Sequence, residues 1–253
     1  MNVVIPSYKR AGQVKGVDYF NAKIIIPTSQ RSEYLQYYKK NQLIIISDQN
    51  DGNIARKRNW ILNNIERPLL MIDDDVSGLV HSQGQYSEDG KFIRTIQNIK
   101  LSRDESLKII EAGFNLANEW GCRIWGININ HDGRNYKQFA PFALSHVVLG
   151  PFMGHLDHNL QYDERMGTKD DYDMSLQCLQ RYGKILRFNK YAYNCKHGTN
   201  EGGIVSMRTM EKEIEYCTAI MKKWGRSIIK YTIPPRKMGD LLNGQVNIPI
   251  AGV

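Results

Sequence analysis

Pro68-Leu69-Leu70-Met71-Ile72-Asp73-Asp74-Asp75-Val76 is the stretch that decides the fold. Its apolar residues suit a buried strand, and the aspartates then project from the strand's C-terminal tip. Alternation along a strand puts residues i and i+2 on one face, so Asp73 and Asp75 can address one ligand while Asp74 points away. Crowded carboxylates repel each other and hold protons more tightly. A hard divalent cation, Mg²⁺ or Mn²⁺, removes that repulsion and binds through one or two carboxylates plus substrate phosphates. A solvated acidic loop uses the same residues, but the apolar run directly before them favours the strand end.

Outward from this segment, short β-branched runs alternate with helical patterns, as in an α/β sheet. The expected strands cover residues 3–5, 23–26, 43–47, 69–72, 123–128, 143–149 and 185–188. A first helix is expected over residues 53–64. A second opens at the capping box Ser102-Arg-Asp-Glu105 and stops at Gly121. Two more are expected over residues 171–182, closed by Gly183, and 210–224. Residues 81–90 read as a loop or exposed hairpin, and the tail after Pro234-Pro235 as an extended arm. The organisation is one α/β domain over residues 1–205, with a basic helix and tail, 206–253, packed on it or extending it.

A chain of 253 residues that is 42% hydrophobic can bury a substantial core. No apolar run approaches the roughly 18 residues that span a bilayer, and the start lacks a signal-peptide pattern. Cys122, Cys178, Cys195 and Cys217 have no paired spacing, so they read as reduced thiols in a cytoplasmic protein. The net charge of +8 favours an anionic partner. Its excess is late, at Lys222, Lys223, Arg226, Lys230, Arg236 and Lys237, with Trp224 and Tyr231 interleaved. Those cations can follow a phosphate backbone and those rings can stack on an unpaired base, although a solvated basic face has the same composition.

Other strand ends carry similar chemistry. Pro6-Ser7-Tyr8-Lys9-Arg10 offers a ring for a base and a cation for a diphosphate, and Ser47-Asp48-Gln49-Asn50-Asp51-Gly52 ends the third strand. Ligands of open α/β sheets bind beyond the carboxyl ends of the strands, so these ends and the aspartates line one crevice. Arg56, Lys57 and Arg58 oppose the dipole at the start of their helix, a cost that a phosphate or an acidic neighbour offsets. Gly167-Thr-Lys-Asp170-Asp171-Tyr172-Asp173 places more acids at a helix start than capping requires, leaving one to take a proton from an acceptor hydroxyl. A rival constellation, His155, Asp157 and His197 with Arg208 downstream, resembles the facial triad of Fe(II)/2-oxoglutarate dioxygenases. That rival leaves Asp73–Asp75 unexplained.

Together the segments resemble a glycosyltransferase of the GT-A fold, a Rossmann-like mixed sheet flanked by helices, and most of all the inverting family 2 enzymes. Val3-Val4-Ile5-Pro6-Ser7-Tyr8-Lys9-Arg10 is similar to the family's opening, Arg58-Asn59 to its helical Arg-Asn, and Leu70-Met-Ile-Asp73-Asp74-Asp75 to its DxD strand end. Gly167–Asp173 with Leu176, Arg181 and Gly183 resembles its acidic G-x-E-D-x-D-L motif, with Asp170 in place of the usual Glu. The Gln-x-x-Arg-Trp motif of processive members is missing, which implies transfer of a single hexosyl or pentosyl unit.

The resemblance implies that Pro6, Ser7, Tyr8, Arg10, Asp48, Arg58, Asp73 and Asp74 hold a nucleotide-sugar, in the first place a UDP-sugar. It implies Asp75 and His197 as ligands of Mn²⁺ or Mg²⁺, and Asp171 as the catalytic base. The compact basic form is similar to the phage TET-associated glycosyltransferases, which implies a DNA 5-hydroxymethylpyrimidine acceptor in the host-cell cytoplasm. Lys222, Lys223, Arg226 and Lys230 are then the expected DNA contacts. A cell-surface glycan or protein is the competing acceptor.

Overall fold

The structure is a computed structural model and describes residues 1–129, 140–195 and 208–248. β1 (Asn2–Pro6), β2 (Lys23–Pro27), β3 (Leu43–Ile46) and β4 (Leu69–Ile72) lie parallel in the order β3-β2-β1-β4. They are runs of Val, Ile and Leu because both faces of the sheet are covered. Val3, Ile5, Leu70 and Ile72 pack on one face, and Val4, Leu69 and Met71 on the other.

Beyond β4 the sheet becomes mixed. β5 (Gly78–Tyr86), β6 (Phe92–Lys100), β7 (Ile124–Asn128), β8 (Phe142–Ala143), β9 (Phe152–His155) and β10 (Leu186–Asn194) complete it. The full order is β3-β2-β1-β4-β9-β7-β10-β5-β6, with β8 paired to β10. β9 runs antiparallel between β4 and β7, with Met71 opposite Met153 and Trp125 opposite Gly154. This mixed sheet flanked by helices is the GT-A-like architecture that the resemblance implies.

α1 (Arg31–Tyr34), α2 (Ile54–Asn64), α3 (Arg103–Glu119), α4 (Asp170–Tyr182) and α5 (Met210–Trp224) cover the sheet and its flank. α3 starts at the Ser102/Glu105 capping box and buries Ile110, Phe114 and Ala117 on one face of the sheet. α2 and α4 cover the opposite face through Ile61, Leu62, Met174 and Cys178. α5 builds a smaller core from Cys217, Ile220 and Met221, packed with Tyr172, Leu176 and Leu241. No helix of the described residues is long and apolar enough to cross a membrane. None of the four cysteines is in a disulfide.

Some expectations need correction. Residues 143–149 are not a strand: only Phe142–Ala143 pairs, and the chain then turns toward β9. β10 extends to Asn194, beyond the expected end at residue 188. Residues 81–90 do lie in a hairpin, one of the two forms expected, and it is longer than expected, running from Gly78 in β5 to Lys100 in β6. The tail after Pro235 is no free arm, because β12 (Gln245–Val246) pairs with β11 (Ile229–Lys230) and Leu241 is fully buried.

Candidate active site

The acids after β4 alternate as a strand end dictates: Asp73 and Asp75 are partly exposed and Asp74 is buried. One Asp74 oxygen accepts a hydrogen bond from the Ser7 hydroxyl at 2.8 Å, and the other pairs with Arg10. Ser7 also meets the Tyr34 hydroxyl at 2.8 Å, which accepts the Arg10 backbone N–H at 3.1 Å. Burial raises the Tyr34 phenol to about 12, so it stays protonated. Ser7, Arg10 and Asp74 were expected at the nucleotide. Their side chains instead tie the end of β1 to the end of β4, and Arg10 is only 7% exposed.

That internal knot leaves Tyr8 and Lys9 exposed at the β1 end, with the Lys9 and Lys57 ammoniums 5.3 and 5.9 Å from the Tyr8 ring centre. Asp48 accepts the Ser29 backbone N–H at 3.1 Å and pairs with its hydroxyl, and these bonds hold its carboxyl below the usual range. The cations that open α2 are not a solvated face. Arg56 pairs with Glu164 at 2.7 Å, and buried Lys57 pairs with Asp51 while donating to the Ser7 carbonyl at 2.6 Å.

Arg58 is the hub. Its Nη2 lies 3.0 Å from Asp73 and its Nη1 2.8 Å from Asp170, so one guanidinium joins the β4 tip to the first turn of α4. Burial works against its charge, yet Asp170 and Asp73 outweigh that and hold the group above its ordinary range. Burial pushes the Asp170 carboxyl up to about 6; Arg58 opposes that rise and Asp171 adds to it. Beside them Asp171 is partly exposed, and it accepts N–H bonds from Gly150 at 3.0 Å and Tyr172 at 2.7 Å. Those bonds fix the direction of its carboxylate. A Cβ at Gly150 would sit 2.4 Å from Arg58 Nη2, so any larger residue there has to displace the guanidinium.

Asp75 is held up at about 6 by burial, then by Asp73 and Asp74. A carboxylate kept from ionising by its neighbours suits a cation that would relieve the crowding, and all-oxygen donors suit a hard one. Among the described residues no three His, Cys, Asp or Glu side chains are grouped as a metal's ligands. The donors that fit are therefore Asp73 and Asp75, few enough for Mg²⁺ or Mn²⁺ with substrate phosphates completing the shell. His197 lies outside the described residues.

The dioxygenase constellation does not assemble. His155 is fully buried, with its ring nitrogens 2.9 Å from His158 and 3.2 Å from the Tyr162 hydroxyl. Asp157 is a surface residue, its side chain 93% exposed and paired with Arg67 at 3.2 Å.

The basic late segment also needs revision. Lys222, Arg226 and Lys230 are exposed, but Lys223 Nζ lies 3.0 Å from Asp163 and 2.8 Å from Asp173. Trp224 donates its indole N–H to Asp173 at 2.7 Å, which fixes the ring's orientation, and Tyr231 is buried, so its ring is not free to stack on a base. Reading the sequence alone gave no role to Gly150 or to the buried pairing of Lys57 with Asp51. Gly150-Pro151 is a visible turn signal, whereas buried lysines carry no local signature.

No curated protein matches the chain. A family model matches residues 1–203, from β1 through the acid-rich start of α4 to beyond β10. It thus contains every part of the Arg58-centred cluster, and on that coverage the chain belongs to the TET-Associated Glycosyltransferase family and is a glycosyltransferase.

Proposed function

We propose that this glycosyltransferase moves one sugar from a nucleotide-sugar donor, a UDP-sugar, to the hydroxyl of a 5-hydroxymethylpyrimidine in phage DNA, with inversion at the sugar carbon. The observation that carries the reading is the double ion pair of Arg58, which brings Asp73 and the Asp170-Asp171 pair to one place from opposite ends of the domain. Asp73 contacts the ribose or base side of the donor, and Tyr8 offers its exposed ring face to the base. Asp75, with Asp73 and His197, holds Mn²⁺ or Mg²⁺. When bound, that cation neutralises charge on the departing diphosphate.

Asp171 takes the proton of the acceptor hydroxyl, steadied by the Gly150 and Tyr172 amides. Such a base contributes about 10²–10⁴ in rate. Turning the modified base out of the duplex brings its hydroxymethyl group to Asp171. Lys222, Arg226 and Lys230 supply phosphate contacts, and Lys223 is left out because its charge is already matched. The reaction belongs in the cytoplasm of the infected cell.

The test is a set of nucleotide-sugars offered with Mn²⁺ to duplexes with and without 5-hydroxymethylpyrimidines. The expected product is modified DNA heavier by one sugar per target base, and affinity for the duplex falls as salt rises. Equal transfer to unmodified DNA, or transfer only to glycans, would contradict the acceptor. Affinity unchanged between low and moderate salt removes the phosphate contacts.

A further inference from the structure

The acidic turn that carries Asp171 is gripped on both sides by the C-terminal segment, which lies beyond the residues that define the family. Two positions upstream of Asp171, Lys169 is 1% exposed; its ammonium pairs with Glu213 of α5 at 2.9 Å and donates to the Leu241 carbonyl at 2.6 Å. Two positions downstream, Asp173 is fully buried and is held by Lys223 at 2.8 Å and the Trp224 N–H at 2.7 Å. Gly167, at φ +53°, lies so close to α5 that a Cβ would stand 2.3 Å from the Tyr216 ring.

A buried charge left without its partner is costly, so both grips constrain the backbone between them. Asp171 sits on that backbone and must face an acceptor hydroxyl within hydrogen-bond reach. We propose that Lys223 and Trp224 are positioning residues that act through Asp173 to aim Asp171, and that α5 is part of the transferase machinery. The proposal rests on Asp171 being the base. It also assigns Lys223 a partner inside the protein in place of a DNA phosphate.

The experiment compares Trp224→Phe, Lys223→Met and Lys223→Arg with the wild type and with Asp171→Asn in the full-length chain. Measured are kcat, KM for the donor, duplex affinity and Tm. Trp224→Phe keeps the ring and loses only the N–H, so it is the variant least disposed to unfold. Misplacement of a catalytic group by about 1 Å can cost about 10²-fold. Trp224→Phe and Lys223→Met are therefore expected to lower kcat about tenfold or more, with donor KM and duplex affinity within about twofold, and Lys223→Arg to recover most of kcat.

Wild-type kcat in Trp224→Phe and Lys223→Met, with Asp171→Asn inactive, overturns the proposal and leaves the base assignment standing. A lowered Tm with kcat per folded molecule unchanged also overturns it. A fall in duplex affinity for Lys223→Met at constant kcat overturns it in favour of a phosphate contact. Wild-type-like turnover in Asp171→Asn sinks the base assignment itself.

Discussion

Asp73, Asp74 and Asp75 are adjacent in sequence and unlike in environment, and the difference has measurable consequences. Asp74→Ala removes the carboxylate that pairs with the buried Arg10 guanidinium, which is expected to cost about 3–5 kcal/mol in urea unfolding. A cost under 1 kcal/mol would show that the β1–β4 knot is not structural. Alternation turns Asp74 away from Asp73 and Asp75, and that inward side is where it pairs with Arg10 and Ser7. For Asp75 the sign is opposite. Its carboxyl is raised to about 6 in the folded protein, so its stabilising effect is full below about pH 4 and lost as pH rises through 6. Asp75→Asn is thus expected to gain about 1–2 kcal/mol at pH 7.5 without added cation, the gain vanishing near pH 4, while transfer is lost. Loss of stability at neutral pH would contradict the crowding argument. The alternation of these side chains was legible because it follows from strand geometry. The bond from Arg58 to Asp170 was not, since a long-range ion pair leaves no trace in local sequence.

Between elements, the Arg58 guanidinium joins the tip of β4 to the start of α4. Arg58→Lys replaces a fork by a single ammonium that cannot span both carboxylates. One buried acid then loses its partner, so stability is expected to fall by roughly 2–4 kcal/mol and donor transfer with it. Wild-type unfolding in this variant would mean that Asp73 and Asp170 do not depend on the bridge. The first four strands were readable because covering both sheet faces demands unbroken apolar runs. β9 was hidden: it has four residues, one of them Gly154, where a Cβ would lie 2.1 Å from the Trp125 indole nitrogen. A strand selected for the space it leaves to a neighbour does not look like one. The C-terminal tail was misread for the same kind of reason, since Leu241 owes its burial to α5 and Lys169 and not to any periodicity of its own.

For the whole molecule, stability should respond to acid through the buried His155–His158 pair. Burial holds His155 well below its ordinary range and His158 at about 4, with Arg67 adding to the effect on His158. Both are neutral in the fold and protonate more readily when unfolded, so their contribution is full above about pH 6.5 and lost as pH falls toward 4. Each is expected to remove about 2 kcal/mol between pH 7 and 5, and His158→Gln should flatten that fall by a similar amount. An unchanged slope would contradict neutral burial. At this scale, too, Lys57 and Arg58 tie the ends of β1, β3 and β4 and the start of α4 into one charged cluster, the proposed donor crevice. The account's central claim is that Asp171 is the base of that crevice, and one measurement addresses it: transfer by Asp171→Asn alongside its binding of the nucleotide-sugar with Mn²⁺. The account predicts donor affinity close to wild type and a transfer rate lower by about 10²–10⁴. Wild-type-like turnover in Asp171→Asn would contradict it.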